Sequence, residues 1–225
     1  SGDYLIFWDS DDFFEPNALE ELYKSITKNQ ADIAVCKAYR FLDEFGKGHI
    51  ENSYCNMDRI PEGNVFNRPT NDQFILNFTS SAAWNKMFSR SFIDRWKLEF
   101  QPSRTGNDFF FVISALCLAE RISIVPVPLV WYRKSMSSHC CGNITSTALT
   151  QIRNWEETIA FLSKHQVLPK QSMANLMASS IINLLNQIQT YDTFMDAVSY
   201  LKTEGLDKLL LDNIEDGFLY TDWQY

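Results

Sequence analysis

Three acidic residues stand within four positions near the start of this 225-residue chain, directly after an apolar run. The run extends from Tyr4 to Trp8 and is typical of a buried strand, and the acids are Asp9, Asp11 and Asp12. Adjacent carboxylates repel one another, so they need a cation, hydrogen bonds or full solvation. We favour a divalent cation, because Mg²⁺ and similar ions bind one or two carboxylates and leave positions for phosphate oxygens.

Other interpretations of the acidic segment stay open at the level of the sequence. Asp and Ser are common in turns, so a strand-to-helix turn of this composition requires no function. A calcium-binding loop does not fit, since Phe14 stands where that loop needs glycine. The segment also resembles the haloacid-dehalogenase phosphatases, which use a nucleophilic aspartate, although Phe13 replaces their threonine or valine.

The spacing of apolar residues predicts the elements that must position these acids. Pro16 suits the first turn of a helix that ends near Asn29. Residues 31–41 then read as a second strand, parallel to the first because a helix connects the two. Residues 43–67 are expected to form a hairpin or long loop.

Further along the chain the same reasoning predicts a short helix over 74–78 and a longer one over 107–120. Residues 122–132 are extended and contain Pro126 and Pro128, which favours an edge strand.

The composition changes near residue 145, which divides the chain into an α/β part (1–145) and a helical extension (146–225). Amphipathic spacing predicts helices around 152–162, 173–188 and 194–201. Their apolar faces are expected either to pack on the α/β part or to contact a second copy or a membrane surface.

Composition excludes some classes of function. The net charge of −8 argues against a nucleic-acid partner. No signal peptide or membrane span is visible, so we expect a cytoplasmic protein, with peripheral contact at the inner face of the membrane as a variant of that expectation. Five irregularly spaced cysteines predict neither a disulfide framework nor a zinc site.

Four segments, in chain order, resemble the family 2 glycosyltransferases of the GT-A fold. They are Asp9-Ser10-Asp11-Asp12 followed by Glu15-Pro16, SAAWNKMF at 81–88, TGND at 105–108, and PLVWYR at 128–133. The resemblance extends over residues 1 to about 140. It implies a partial GT-A domain, Rossmann-like and of the nucleotide-diphospho-sugar transferase type, with a helical C-terminal extension.

The resemblance also implies a reaction, namely metal-dependent transfer of a sugar from a nucleoside-diphosphate sugar to a saccharide or lipid-linked acceptor. Inversion at the sugar carbon and a role in bacterial polysaccharide assembly are part of that expectation. By carry-over, Asp11 binds Mn²⁺ or Mg²⁺, and Asp9 assists through the metal or the donor. Asp108 is then the base that takes the proton of the acceptor hydroxyl.

Five further residues receive roles in the same way. Lys86 and Arg133 are expected to contact the donor diphosphate, and Trp84, Asn107 and Asp12 the acceptor. Alternatives stay open, since the lysine could instead bind a carbonyl and the tryptophan could belong to the core. The asparagine could cap its helix, and Asp12 could lie behind the metal ligands.

Departures from the family pattern leave two rival functions in view. The family often has histidine where Ser135 stands, with His139 four residues further on, so a metal-binding histidine is not expected. The family's first strands, which hold the nucleobase, have no counterpart, so an N-terminally truncated domain is expected. A folded but non-catalytic interaction module is therefore one rival, and a phosphatase of the haloacid-dehalogenase type is the other.

Overall fold

The computed structural model describes residues 2–42, 47–103, 106–134 and 144–221. Within them the chain divides into two compact units. The first comprises residues 1–98 and 115–138, and the second comprises 99–114 and 139–225. The single boundary expected near residue 145 stays a prediction.

A mixed sheet organises the first unit. Its seven described strands are β1 (Tyr4–Ile6), β2 (Phe13–Phe14), β3 (Ile33–Leu42), β4 (Lys47–Ile50), β5 (Val65–Phe66), β6 (Lys86–Ser89) and β7 (Ile122–Lys134). Their order is β1-β6-β3-β7-β2, with β4 paired to β3 and β5 paired to β7. Only β3 and β7 pair in parallel among the described strands.

Strands β1 and β3, which are joined by a helix in the sequence, run in the same direction, as that connection predicts. They are not neighbours, because β6 lies between β1 and β3 and is antiparallel to both. Phe88 of β6 is opposite Leu5 on one side and Ile33 on the other. The hairpin expected in residues 43–67 is present as β4 folded back on β3.

The prediction of an edge strand over 122–132 is wrong. β7 pairs with β3 along its length, and β5 and β2 cover parts of its other side. Pro126 and Pro128 are tolerated because the β3 register shifts around Lys37, where the ladder is irregular. On the side of β7 that faces β5 and β2, the two prolines lie between the residues paired to β5 and those paired to β2.

Three helices accompany the sheet in chain order: α1 (Ala18–Lys28), α2 (Arg90–Trp96) and α3 (Asp108–Leu118). The helix predicted after Pro16 is thus confirmed, and it places Leu22 and Ile26 in the main apolar core. Residues 109–118 of α3 are almost all buried, so this helix lacks a polar face. Residues 74–78 form turns instead of the predicted helix.

The second unit contains the three predicted amphipathic helices. They are α4 (Ile144–Lys164), α5 (Lys170–Gln187) and α6 (Tyr191–Tyr200), and α6 continues through a π-helical turn (Leu201–Gly205) into α7 (Leu206–Lys208). Among the described residues, no helix combines the length and the apolar character that crossing a bilayer requires. A contact of these helices with a membrane surface or a second copy stays a prediction.

Candidate functional site

The acidic segment forms a turn between β1 and β2. The N–H of Asp12 donates a hydrogen bond of 3.4 Å to the carbonyl oxygen of Asp9, which closes the turn. Asp9 and Asp11 are exposed at its tip, whereas Asp12 is buried and only 8% exposed. The turn therefore presents two carboxylates to solvent and directs the third one inward.

Asp12 links this turn to β7. Its Oδ1 accepts a hydrogen bond of 2.9 Å from the main-chain N–H of Arg133. Its Oδ2 is buried and has no hydrogen-bond partner among the described residues. This burial favours a position behind the exposed acids, and a direct contact of Asp12 with an acceptor stays a prediction.

The site carries more negative charge than its surroundings balance. Partial desolvation raises the pKa of Asp9, and the charge of Asp11 raises it further. Burial raises the pKa of Asp12 from 3.8 to about 6, with smaller increases from Asp11 and Asp9, against a lowering by the Arg133 N–H. A cation at this turn would relieve the repulsion.

The residues present fit an ion that is shared with a phosphate ligand. In the described part of the chain, no three His, Cys, Asp or Glu side chains converge to hold a metal by themselves. Mg²⁺ and Mn²⁺ at substrate phosphates need only one or two carboxylates. Asp9 and Asp11 supply these, and the unpartnered Oδ2 of Asp12 adds negative charge behind them.

The raised pKa of Asp12 predicts a measurable pH dependence of stability. Since folding favours the protonated carboxyl, its stabilising effect is complete below about pH 4 and is lost as the pH rises through about 6. With allowance for solvent screening, the loss in unfolding free energy is about 1–2 kcal/mol. Asp12→Asn keeps an acceptor for the Arg133 N–H and cannot ionise, so urea unfolding between pH 4 and 7 should show this loss only in the wild type.

The control for this titration is Asp58→Asn, which changes an exposed aspartate. Its stability profile should run parallel to that of the wild type. A profile of Asp12→Asn that is also parallel to the wild type would contradict the argument.

Asn85 and Lys86 are fully buried at the start of β6. Lys86 Nζ donates to the carbonyl oxygens of Ser80 (2.9 Å) and Ala82 (2.7 Å) and to Asn85 Oδ1 (2.8 Å). Asn85 Nδ2 donates to the carbonyl oxygens of Cys36 (3.0 Å) and Tyr54 (2.8 Å). The arrangement argues against the expected donor contact of Lys86 and favours its alternative role as a partner of carbonyls.

Replacing Lys86 with methionine is expected to lower the free energy of unfolding by about 2–3 kcal/mol. Methionine preserves the length of the side chain but leaves three oxygens, two of them part-buried and one buried, without their donor, and each such group carries a penalty. Urea unfolding measures the change, and Lys28→Met at an exposed position of α1 is the matched control. Equal stability of the two variants would show that the buried ammonium group is dispensable.

Trp84 lies in the core and not on the surface. It is 6% exposed, stacks on Tyr132 with 5.2 Å between ring centroids, and meets Tyr54 edge-on at 4.8 Å. Its burial argues against the expected stacking on an acceptor sugar and favours the core alternative. Tyr132 belongs to β7, so this cluster holds β7 against the segment before β6.

The remaining expected residues are placed as follows. The side chain of Arg133 is half-buried near the end of β7, and its main chain holds Asp12. Asp108 is the first residue of α3, and exposed Asn107 precedes it and accepts a hydrogen bond from the N–H of Gln101 through its main-chain oxygen. Both belong to the second unit, so their proximity to the acidic turn stays a prediction. His139 lies outside the described residues.

Sequence reasoning missed one polar contact beside the site. The indole N–H of Trp131 donates to Glu15 Oε1 at 2.8 Å, and the N–H of Glu15 donates to the carbonyl oxygen of Leu129 at 3.0 Å. Both residues stand in segments that carry the family resemblance. The signal in the sequence is that Glu15 directly follows the apolar pair Phe13-Phe14 and that Trp131 directly follows the apolar pair Leu129-Val130.

Comparison with known proteins gives a family for the first part of the chain. The model of the family "Glycosyl transferase family 2" matches residues 1–96, which include the acidic turn and β6. The match argues against the phosphatase alternative for the acidic turn.

Three curated relatives have related names. The chain is 26% identical to glycosyltransferase GlyA of Streptococcus pneumoniae, over 86% of this chain and 29% of the relative. It is 26% identical to the putative glycosyltransferase EpsH of Bacillus subtilis, over 84% of this chain and 55% of the relative. It is 30% identical to the poly(ribitol-phosphate) beta-N-acetylglucosaminyltransferase TarP of Staphylococcus aureus, over 54% of this chain and 34% of the relative. The chain thus spans about a third to a half of these relatives' lengths.

The fold is similar to that of a solved structure, Staphylococcus aureus TarS 1–349 in complex with UDP-GlcNAc. The TM-score is 0.51 at 12% sequence identity, and the match covers 93% of this chain and 66% of that one. The expected fold, a partial GT-A domain with a helical extension, is therefore confirmed.

Proposed function

We propose that the protein transfers a sugar from a nucleoside-diphosphate sugar to a saccharide or lipid-linked acceptor, because residues 1–96 match the model of family 2 glycosyltransferases. The observation that carries this proposal is the acidic turn, which presents two carboxylates at the end of β1 and keeps a third behind them. UDP-GlcNAc, the ligand of the TarS structure, makes a UDP-sugar the first donor to test.

Each acid has a distinct role in this proposal. Asp11 and Asp9 hold Mn²⁺ or Mg²⁺, and Asp12 fixes the turn on β7 through the Arg133 N–H. Bound there, the ion supplies Lewis-acid stabilisation of the charge that develops on the leaving diphosphate. The Arg133 guanidinium would bind phosphate oxygens from β7.

Asp108 is the proposed general base. Taking the proton of the acceptor hydroxyl lets that oxygen attack the anomeric carbon from the side opposite the diphosphate, which inverts its configuration. An aspartate in the first turn of a helix is stabilised by the helix dipole as a carboxylate, which is the form that a base requires.

The experiment is an assay of nucleoside-diphosphate release by the full-length protein that carries this sequence. UDP-, dTDP- and GDP-sugars are offered with Mn²⁺, with Mg²⁺ or with a chelator. We expect release from one nucleotide class, and only with a divalent ion. Failure to release or to bind any of the three nucleotides would favour the interaction module over the enzyme.

A further inference from the structure

An aromatic groove with a volume of about 360 Å³ lies beside β2 in the first unit. Its lining residues are Phe13, Phe14, Glu15, Phe41 and Trp131. Phe13 directly follows Asp12, so the groove begins two residues from the proposed metal ligand Asp11.

The rings of the groove are held in fixed orientations. Phe13 and Phe41 are perpendicular, with 6.3 Å between centroids, and Phe41 lies edge-on to Trp131 at 6.4 Å. Trp131 is stacked on Tyr39 at 4.1 Å, and a Cβ at Gly48 would approach its ring to 2.7 Å. The indole is therefore packed against residues of β3 and β4 and forms a rigid base.

Phe13 is the most exposed residue of the groove. It is 53% exposed, although Phe14 next to it is packed against the main core. Strand alternation explains the difference, because successive side chains of β2 point to opposite faces of the sheet. The ring thus offers a flat apolar surface, about half of which is exposed to solvent.

Glu15 supplies the polar group of the groove. Its Oε1 accepts the indole N–H of Trp131, and its main chain is tied to Leu129. Its Oε2 has no hydrogen-bond partner among the described residues. A carboxylate oxygen held in this way can accept hydrogen bonds from hydroxyl groups.

Charge decides which ligand the groove suits. Among the residues that the structure describes, its lining includes one carboxylate and no lysine or arginine, which disfavours phosphate and other anions. A purely apolar chain would leave the carboxylate desolvated and unpaired. A neutral ring with a C–H face and several hydroxyls satisfies both the aromatic rings and the acid, and a pyranose has this chemistry.

We propose that the groove binds a neutral sugar ring of the acceptor, with Phe13 and Phe41 against its C–H face and Glu15 accepting its hydroxyls. This inference rests on the proposed function, since it names the substrate class of the same enzyme. It places the saccharide of the acceptor, and not a lipid or phosphate group of the acceptor, in the groove beside the acidic turn. Trp131 acts as a positioning residue because it fixes Glu15.

The test is saturation-transfer difference NMR on the full-length protein with UDP and Mn²⁺ present. The probes are methyl β-D-glucopyranoside, methyl β-D-galactopyranoside, N-acetyl-D-glucosamine, glycerol 3-phosphate and farnesyl phosphate. At least one of the three neutral sugars should bind in the millimolar range. Phe13→Ala should weaken this binding fivefold or more, and Glu15→Gln about fivefold. Phe13→Tyr should bind within twofold of the wild type.

Tyr23→Ala is the matched control, because Tyr23 is an aromatic residue of α1 with a similar exposure of 51%. Unchanged sugar binding in Phe13→Ala, or no binding of any neutral sugar, would overturn the proposal, and so would binding of farnesyl phosphate alone. Titration of the same protein with UDP and Mn²⁺ separates the two failures. Bound UDP without bound sugar refutes the groove alone, whereas absent UDP binding refutes the proposed function.

Discussion

Replacing Asp11 with alanine is expected to lower kcat/KM for the donor by about a thousandfold. Asp11 is exposed at the tip of the turn and is the residue proposed to hold the metal ion. Loss of the ion removes several kcal/mol of charge stabilisation from the leaving diphosphate, and 4 kcal/mol is about a thousandfold in rate. The rate of nucleoside-diphosphate release measures the effect.

Asp58→Ala is the control for this variant, because it also removes an exposed carboxylate from the first unit, where Asp58 lies in a short 3₁₀ helix (Met57–Arg59). It should retain wild-type activity. If Asp11→Ala and Asp58→Ala were equally active, the acidic turn would be an ordinary solvated turn and the metal role would be wrong.

Replacing Asp108 with asparagine is expected to lower kcat by about 10²–10⁴-fold, the usual contribution of a general base. The affinity for the donor should change little, because the base acts on the acceptor hydroxyl. Asparagine has nearly the size of aspartate and can still accept a hydrogen bond in the first turn of α3. The backbone before the helix, where Gly106 has a φ of +63°, is not changed by this substitution. Steady-state kinetics measures kcat, and calorimetric titration measures donor affinity.

A purely structural role of Asp108 predicts a different pattern. Loss of its interaction with the helix dipole would lower stability by about 0.3–1 kcal/mol and leave kcat near the wild-type value. Asn107→Ala is the neighbouring control, since exposed Asn107 could support the acceptor but cannot act as a base. A variant Asp108→Asn with nearly normal kcat and reduced thermal stability would exclude the base.

Local patterns in the sequence predicted much of the fold. The helix after Pro16 and the three C-terminal helices were all found, because each depends on spacing within one segment. The apolar run before Asp9 does form a strand, but this strand is only three residues long and half-buried, and not the buried strand expected over Tyr4–Trp8. The prediction of an edge strand over 122–132 was wrong because the position of a strand in a sheet depends on contacts between distant segments. Its two covering strands, β2 and β5, are two residues each and come from distant parts of the chain.

The direction of individual side chains was the hardest feature to predict. Lys86 and Phe88 alternate with Met87 along β6, yet all three side chains are buried, and Trp84 in the turn before β6 packs in the same core cluster as Met87. A strand that is covered on both faces shows no polar alternation, so nothing in the sequence reveals that the lysine points inward. The carbonyls that bind it lie in a turn whose shape cannot be read from residue types.

The role of Asp12 was equally hidden. Its partner is a main-chain N–H 121 positions away, and a main-chain donor has no signature in the sequence. Because the residue that donates this hydrogen bond is an arginine, the sequence suggested only an ionic contact of Arg133 with phosphate. The structure shows that the main chain of this residue also supports the acidic turn.

The central claim is that the turn after β1 binds a divalent ion together with a nucleoside diphosphate. Isothermal titration of the full-length protein with UDP, with and without Mn²⁺, tests it most directly. We predict binding that is at least tenfold tighter with Mn²⁺, and a loss of this difference in Asp11→Ala but not in Asp58→Ala. UDP, dTDP and GDP that all fail to bind, or that bind equally well in the presence of a chelator, would contradict the account.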